Sequence, residues 1–141
     1  AGDWEEAETR GEVSDFDILD QYVGRLVQNY EGGAFRVGWD AGNGAAGPAL
    51  EKLARLLPGE HHLLFTDVDS TFPNHHPDPT EEKNLEYLRA AVREKGLDFG
   101  IAFDGDGDRI GAIDGEGRII WGDQLLGILA EPVLRAEPRA T

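Results

Sequence analysis

Residues 98–109 read DFGIAFDGDGDR, and this stretch organises the expected fold. Its apolar first half is suited to a buried strand. Its second half places Asp104, Asp106 and Asp108 in a glycine-rich loop that Arg109 closes. Two carboxylates about 4.5 Å apart repel by roughly 3–4 kcal/mol at an effective dielectric of about 20. Three of them at the end of a core strand therefore predict a bound cation.

The spacing of these acids favours a hard cation. Carboxylates at alternate positions let one loop turn three oxygen ligands inward, which suits Mg²⁺ or Ca²⁺. An EF-hand is excluded, because its required glycine and glutamate positions hold Arg109 and Gly115. Arg109 is then expected to be free to contact an anionic ligand such as a phosphate. A solvated acidic turn is the alternative.

Composition restricts the class of protein. The 141 residues are 40% hydrophobic and 29% charged, which fits one soluble domain. The net charge of −15 argues against nucleic acid or an anionic membrane as a partner. There is no cysteine, no long apolar run and no signal-peptide pattern, so we expect a cytoplasmic protein without disulfides.

Strand and helix patterns alternate around the acidic stretch. Early alternation predicts parallel strands covered on both faces, with an antiparallel element late in the chain. The expected fold class is therefore α/β, a three-layer α/β/α sandwich with a small mixed sheet. The predicted strands are residues 34–40, 61–66, 98–103, 110–114 and 118–121, and the predicted helices are residues 14–30, 48–57, 80–95 and 123–132.

Several residues are predicted to mark helix ends. Ser14 resembles an N-cap with Asp17 in the capping-box position, and Thr80 and Asp123 are candidate N-caps of later helices. Pro132 is expected to interrupt the last helix.

Residues 42–47 (GNGAAG) follow a strand, open a helix and precede Asp67 by twenty positions or more. This is the spacing of a dinucleotide-binding turn, although Asp40 would face the pyrophosphate. The alternative is a tight strand-to-helix turn, in which Asn43 is a turn residue.

Residues 63–71 (LLFTDVDST) resemble the nucleophile motif of haloacid-dehalogenase-type phosphatases. The resemblance would make Asp67 the nucleophile and Asp69 the acid/base. The alternative is a solvated loop after a strand.

Residues 101–109 (IAFDGDGDR) resemble the metal-binding loop of the α-D-phosphohexomutases, the phosphomannomutase/phosphoglucomutase family. The likeness continues through residues 40–47 (DAGNGAAG), 72–79 (FPNHHPDP) and 119–126 (IIWGDQLL), and spans about residues 15–133.

The resemblance implies a four-domain enzyme of which this chain is the second, metal-binding domain. Residues 14–135 would form that domain, and residues 1–13 and 136–141 would connect it to a preceding and a following domain. We therefore expect the chain to be a piece of a longer protein, with the other domains as its partners.

The same resemblance implies an isomerase of carbohydrate metabolism. A phosphoserine transfers its phosphoryl group to a hexose phosphate, and the hexose 1,6-bisphosphate then reorients and rephosphorylates the serine. Asp104, Asp106 and Asp108 would be Mg²⁺ ligands, and Arg109 would contact the phosphate or its substrate.

The family's serine loop, TASHNP, is absent, since Ser14 and Ser70 lie in other contexts. The resemblance therefore places no catalytic residue in this chain, which is expected to be inactive alone. His75 and His76 are possible neighbours of the active site, or residues whose hydrogen bonds fix their loop. A stand-alone divalent-metal or nucleotide-binding module is the alternative function.

Overall fold

A five-stranded mixed sheet lies between helices on both of its faces. The computed structural model describes residue 9, residues 11–28 and residues 30–139. Most of the predicted connector at residues 1–13, and the last two residues of the one at 136–141, lie outside the described residues. The helices are α1 (Leu19–Val27), α2 (Gly47–Leu56), α3 (Glu86–Lys95, preceded by a 3₁₀ turn, Glu82–Leu85) and α4 (Gly122–Ala136). The strands are β1 (Phe35–Asp40), β2 (Gly59–Leu64), β3 (Phe99–Phe103), β4 (Ile110–Asp114) and β5 (Ile119–Ile120).

The strand order is β2-β1-β3-β4-β5. β1 pairs in parallel with β2 and β3, whereas β4 is antiparallel to both β3 and β5. The predicted α/β fold with a small mixed sheet is confirmed. Because β1, β2 and β3 run in the same direction, the loops that follow them meet at one edge of the sheet.

The main core lies between the sheet and α3. Leu88 and Val92 of α3 are fully buried with Ile113 of β4. Two glycines that pair across β1 and β3, Gly38 and Gly100, make room for this helix. A Cβ atom on either glycine would lie 2.9 Å from Leu88. Burying a leucine of this kind contributes about 1.5–3 kcal/mol.

The opposite face carries α1 and α2. Trp39 and Phe103 stack there with ring centroids 6.4 Å apart. Both rings line a cavity of about 290 Å³ that Tyr22 and Leu26 of α1 border and that reaches Asp106. This face is therefore packed less tightly than the α3 face.

The predicted starts of the first and third helices are wrong. The first helix begins at Leu19 instead of residue 14, because Asp17 accepts the Leu19 N–H at 3.1 Å and Ser14 makes no cap. Thr80 donates its hydroxyl to Asp78 at 2.7 Å, so it is engaged by the preceding loop. The residue before the 3₁₀ turn is Glu81.

The last helix differs from its prediction at both ends. Trp121, and not Asp123, occupies the N-cap position, and its N–H donates to Gln124 at 3.1 Å. The helix continues through Pro132 to Ala136. A proline removes one backbone donor but its fixed φ is compatible with helix, and this helix has no buried residue that a bend would disturb.

β2 lies two residues earlier than predicted, because Phe65 takes a left-handed φ of 54° and ends the strand. The predicted helix end at Gly96 is confirmed by its left-handed φ of 60°. Over the described residues, no helix is both long enough and apolar enough to span a bilayer.

Candidate metal centre

The acidic loop, residues 104–109, joins β3 to β4 in an antiparallel hairpin. Asp104, Asp106 and Asp108 can each offer one carboxylate oxygen, and these three oxygens lie within 4.8 Å of one another. Asp104 is buried, whereas the other two are exposed. The loop therefore gathers the three predicted ligands, with an open side toward solvent.

Asp104 is the fixed member of this cluster. Only 2% of the residue is exposed, and it accepts hydrogen bonds from the Arg109 backbone N–H at 3.0 Å and from Arg109 Nε at 2.8 Å. Burial alone would raise the pKa of Asp104, but the hydrogen bonds from Arg109 outweigh it and leave the pKa below its usual value. Asp104 therefore stays ionised.

Asp108 shows that the negative charge of the loop is not fully compensated. Repulsion from Asp106, and then from Asp104, raises the pKa of Asp108. Arg109 Nε is 3.7 Å from Asp108 and offsets only part of this repulsion. A bound cation would stabilise all three carboxylates in their ionised form.

Arg109 is engaged by acids, contrary to the expectation that it is free. Its Nε donates to Asp104, and a terminal nitrogen lies 3.4 Å from Asp78. The hydrogen bond to Asp104 raises the pKa of Arg109, so the guanidinium stays charged. With 54% of its side chain exposed, Arg109 is still accessible to an anion.

The glycine turn, residues 42–47, packs directly on the acidic loop. Ala45 donates its N–H to Gly105 at 2.9 Å, and a Cβ on Gly44 would lie 2.6 Å from the same oxygen. The N–H of Gly42 already donates to Asp40 at 2.9 Å. These contacts occupy groups that a dinucleotide phosphate would need, and they favour the tight-turn interpretation.

Asn43 connects three loops, a role that the sequence analysis missed. Its side-chain amide donates to the Asp67 carbonyl and its Oδ1 accepts from Asn74, both at 2.8 Å. It is 5% exposed and takes a left-handed φ of 59°, which asparagine tolerates better than most residues. The available signal was an asparagine between two glycines directly after a strand.

The proline loop, residues 72–79, forms the second wall of the acidic loop. A Cβ on Gly105 would contact Phe72 and Pro77 at 3.5 Å. Asp78, which sequence reasoning also missed, accepts from the Thr80 hydroxyl and approaches Arg109. The Thr80 hydroxyl is the main cause of the lowered pKa of Asp78, so this carboxylate stays ionised beside Arg109.

The two histidines of the proline loop differ in environment. His75 is largely buried and its Nε2 lies 3.1 Å from Asp40, whereas His76 is exposed. His75 thus contacts the carboxylate at the end of β1, and this contact holds the proline loop against that strand.

Asp67 and Asp69 lie in the loop after β2. Asp67 is exposed, and Asp69 accepts the N–H and hydroxyl of Thr71 at 2.9 and 2.7 Å. These hydrogen bonds lower the pKa of Asp69, whereas a general acid needs a raised one. The arrangement favours the solvated-loop interpretation over a phosphatase site.

The chain is similar to known proteins over most of its length. The family described as phosphoglucomutase/phosphomannomutase, alpha/beta/alpha domain II, matches residues 20–117. A phosphomannomutase/phosphoglucomutase of Pseudomonas putida is 45% identical over 93% of this chain and 28% of its own length. A phosphoglucomutase of Neisseria meningitidis is 42% identical over 95% of this chain and 29% of its own length.

A solved structure extends the likeness to the fold. A phosphoglucomutase/phosphomannomutase family protein from Burkholderia thailandensis superposes with a TM-score of 0.80 and 43% identity, covering 86% of this chain and 27% of that one. The chain is a phosphohexomutase domain: it belongs to the phosphoglucomutase/phosphomannomutase family and corresponds to domain II. It spans less than a third of the length of these relatives.

Proposed function

We propose that this chain is the Mg²⁺-binding domain of a phosphohexomutase that interconverts hexose 1-phosphate and hexose 6-phosphate through a phosphoserine and a bisphosphate. The names of its relatives support this reaction class. The observation that carries the proposal is the acidic loop, whose three carboxylate oxygens lie within 4.8 Å of one another.

The donor set fits magnesium. All three candidate ligands are carboxylates, which suit Mg²⁺, and the chain has no cysteine to favour a softer metal. Asp104, Asp106 and Asp108 would hold the ion on the side where Asp106 and Asp108 face solvent. When bound, Mg²⁺ would supply positive charge that offsets the negative charge developing on the phosphoryl oxygens.

The chain's own residues would act by positioning and charge. Arg109, fixed through its Nε to Asp104, keeps a charged and partly exposed guanidinium beside the cluster. It is suited to bind and orient a phosphate group. Neither Ser14 nor Ser70 lies in a phosphoserine motif, so we propose that the chain alone does not catalyse the interconversion.

Paramagnetic broadening by Mn²⁺ tests the metal site. We expect trace Mn²⁺ to broaden the backbone amide signals of residues 104–109 in the 141-residue chain first, and excess Mg²⁺ to restore them. The variant Asp106→Asn should lose this selectivity. Asp67→Asn, which changes an acid in the loop after β2, is the matched control and should behave as the wild type. Uniform broadening over the acidic surface, with no preference for residues 104–109, would contradict the proposal.

A further inference from the structure

The ring of His75 faces an oxygen at each of its two nitrogens. Nδ1 lies 3.0 Å from the His76 carbonyl, and Nε2 lies 3.2 and 3.1 Å from the two carboxylate oxygens of Asp40. A carbonyl oxygen only accepts, so Nδ1 carries a proton. An ionised carboxylate also accepts, so Nε2 carries a proton as well when Asp40 is ionised. Both conditions are met together by an imidazolium.

Asp40 has a second hydrogen-bond partner besides His75. It is fully buried, and its Oδ1 also accepts the Gly42 N–H at 2.9 Å. The side chain of His75 is 8% exposed, so solvent screens this pair little. An unpaired charge in such a position would be costly, which couples the charge of each residue to that of the other.

Two aromatic rings enclose the imidazole. Tyr87 of α3 stacks on it at 6.1 Å, and Phe65 meets it edge-on at 5.4 Å. Both rings lie against the imidazole and add to its burial. Phe65 reaches this position with a left-handed backbone, which is strained for a bulky residue. The groups that titrate near His75 are Asp40 on β1, Tyr87 on α3 and its neighbour His76.

We propose that Asp40 and His75 form a buried ion pair that fastens the proline loop to the end of β1 and thereby positions that loop against residues 104–109. The loop so held brings Asp78 to Arg109 and Pro77 to Gly105. His75 is a positioning residue, since it acts through these neighbours. Its importance for phosphoryl transfer rests on the proposed function, whereas the charge state of the pair does not.

The pH dependence follows from the hydrogen bond to Asp40, which raises the pKa of His75 despite its burial. A group whose pKa is higher in the folded than in the unfolded state stabilises the fold fully below its unfolded pKa. This stabilisation is lost as the pH rises through the folded value. The ion pair should therefore weaken as the pH rises above the ordinary histidine pKa and through the raised pKa of His75.

Long-range ¹H–¹⁵N correlation spectra of the 141-residue chain test the pair directly. We expect both ring nitrogens of His75 to be protonated at neutral pH, and His75 to titrate at higher pH than His62, whose pKa burial lowers. The amide signals of residues 104–109 should shift in step with His75. In His75→Gln the amide signals of residues 104–109 should no longer shift over this pH range, whereas in His62→Gln they should still do so.

An unprotonated Nε2 at neutral pH in the wild type would overturn the proposal, and this readout needs no variant to fold. Amide shifts of residues 104–109 that persist unchanged in His75→Gln would overturn the positioning role. If trace Mn²⁺ shows no preference for residues 104–109 in the wild type while His75 is doubly protonated, the proposed metal site is contradicted and the ion pair is not.

Discussion

Two hairpin loops of this chain share one pattern and differ in one property. Residues 104–110 read DGDGDRI and join β3 to β4, and residues 114–119 read DGEGRI and join β4 to β5. In the second loop Asp114 accepts the Arg118 N–H at 2.9 Å and Arg118 Nε at 2.7 Å. Asp104 and Arg109 repeat this arrangement, so an aspartate clamped by an arginine closes both hairpins.

The difference lies in burial and surplus charge. The first loop contains one more acid, its leading aspartate is nearly inaccessible, and repulsion raises the pKa of Asp108. In the second loop Glu116 is paired with Arg118 at 3.1 Å. The Asp–Arg clamp is thus a means of building a turn. The metal hypothesis needs in addition Asp106 and Asp108, which take no part in the clamp.

Removing the aspartate that the arginine clamps should give the largest difference in stability between the two loops. Asp104→Ala should lower the free energy of unfolding by about 1–3 kcal/mol, because it removes the buried acceptor of two hydrogen bonds from Arg109. Asp114→Ala should cost about 1 kcal/mol, because water can replace its more exposed carboxylate. Urea denaturation measures both, and equal losses would show that burial does not distinguish the loops.

A methyl group at Gly44 should disturb the acidic loop and leave the second hairpin loop unchanged. Gly44→Ala places a Cβ against the Gly105 backbone and should cost about 1–3 kcal/mol, with shifted amide signals at residues 104–109. Gly24→Ala in α1 meets nothing within 4 Å and should stabilise the chain by about 0.5–1 kcal/mol. Unchanged amide signals in Gly44→Ala would show that the glycine turn does not set the shape of the loop.

Neutralising Asp108 should weaken metal binding without lowering the stability of the fold. Asp108→Asn should weaken Mn²⁺ binding roughly tenfold or more, since affinity depends on ligand charge. Its stability should not fall, because repulsion from Asp106 is relieved. Glu116→Gln is the matched change in the second loop and should leave Mn²⁺ binding unaltered. Wild-type affinity in Asp108→Asn would remove that residue from the ligand set.

Lowering the pH should remove a small part of the stability of the fold at the second loop. The N–H of Arg118 is the main cause of the lowered pKa of Asp114. A carboxylate with a lowered folded pKa stabilises the fold above its unfolded pKa, and this is lost as the pH falls through the folded value. Asp114→Asn should therefore lose less stability than the wild type as the pH falls through the ordinary aspartate pKa and below it. Parallel acid profiles would contradict this assignment.

Local patterns were sufficient to predict most of the fold. Apolar periodicity and the Lys95-Gly96 ending predicted α3, and residues 110–114 were predicted as a strand with the bounds observed. The acids of residues 104–109 are adjacent in sequence, so their grouping could also be predicted. Helix starts were predicted less well, because Asp17 and Thr80 have more than one possible hydrogen-bond partner nearby.

Contacts between distant segments could not be predicted. Asp78 meets Arg109 across 31 positions, and Asp40 meets His75 across 35. Nothing in the local sequence indicates such a partner, since each residue has an ordinary role in a turn or loop. These contacts form because the parallel strands place three loops at one edge of the sheet, which is a property of the whole fold.

The hairpin that carries the acidic loop also has a consequence for the order of folding. β3 and β4 close over a short loop, whereas β1 must pair with β3 across more than fifty residues. Short-range contacts form faster than long-range ones. We expect β3 and β4 to gain protection from hydrogen exchange before β1 does in pulse-labelled refolding. The three carboxylates of the acidic loop would then come together in an early local structure, which the loops from β1 and β2 enclose afterwards.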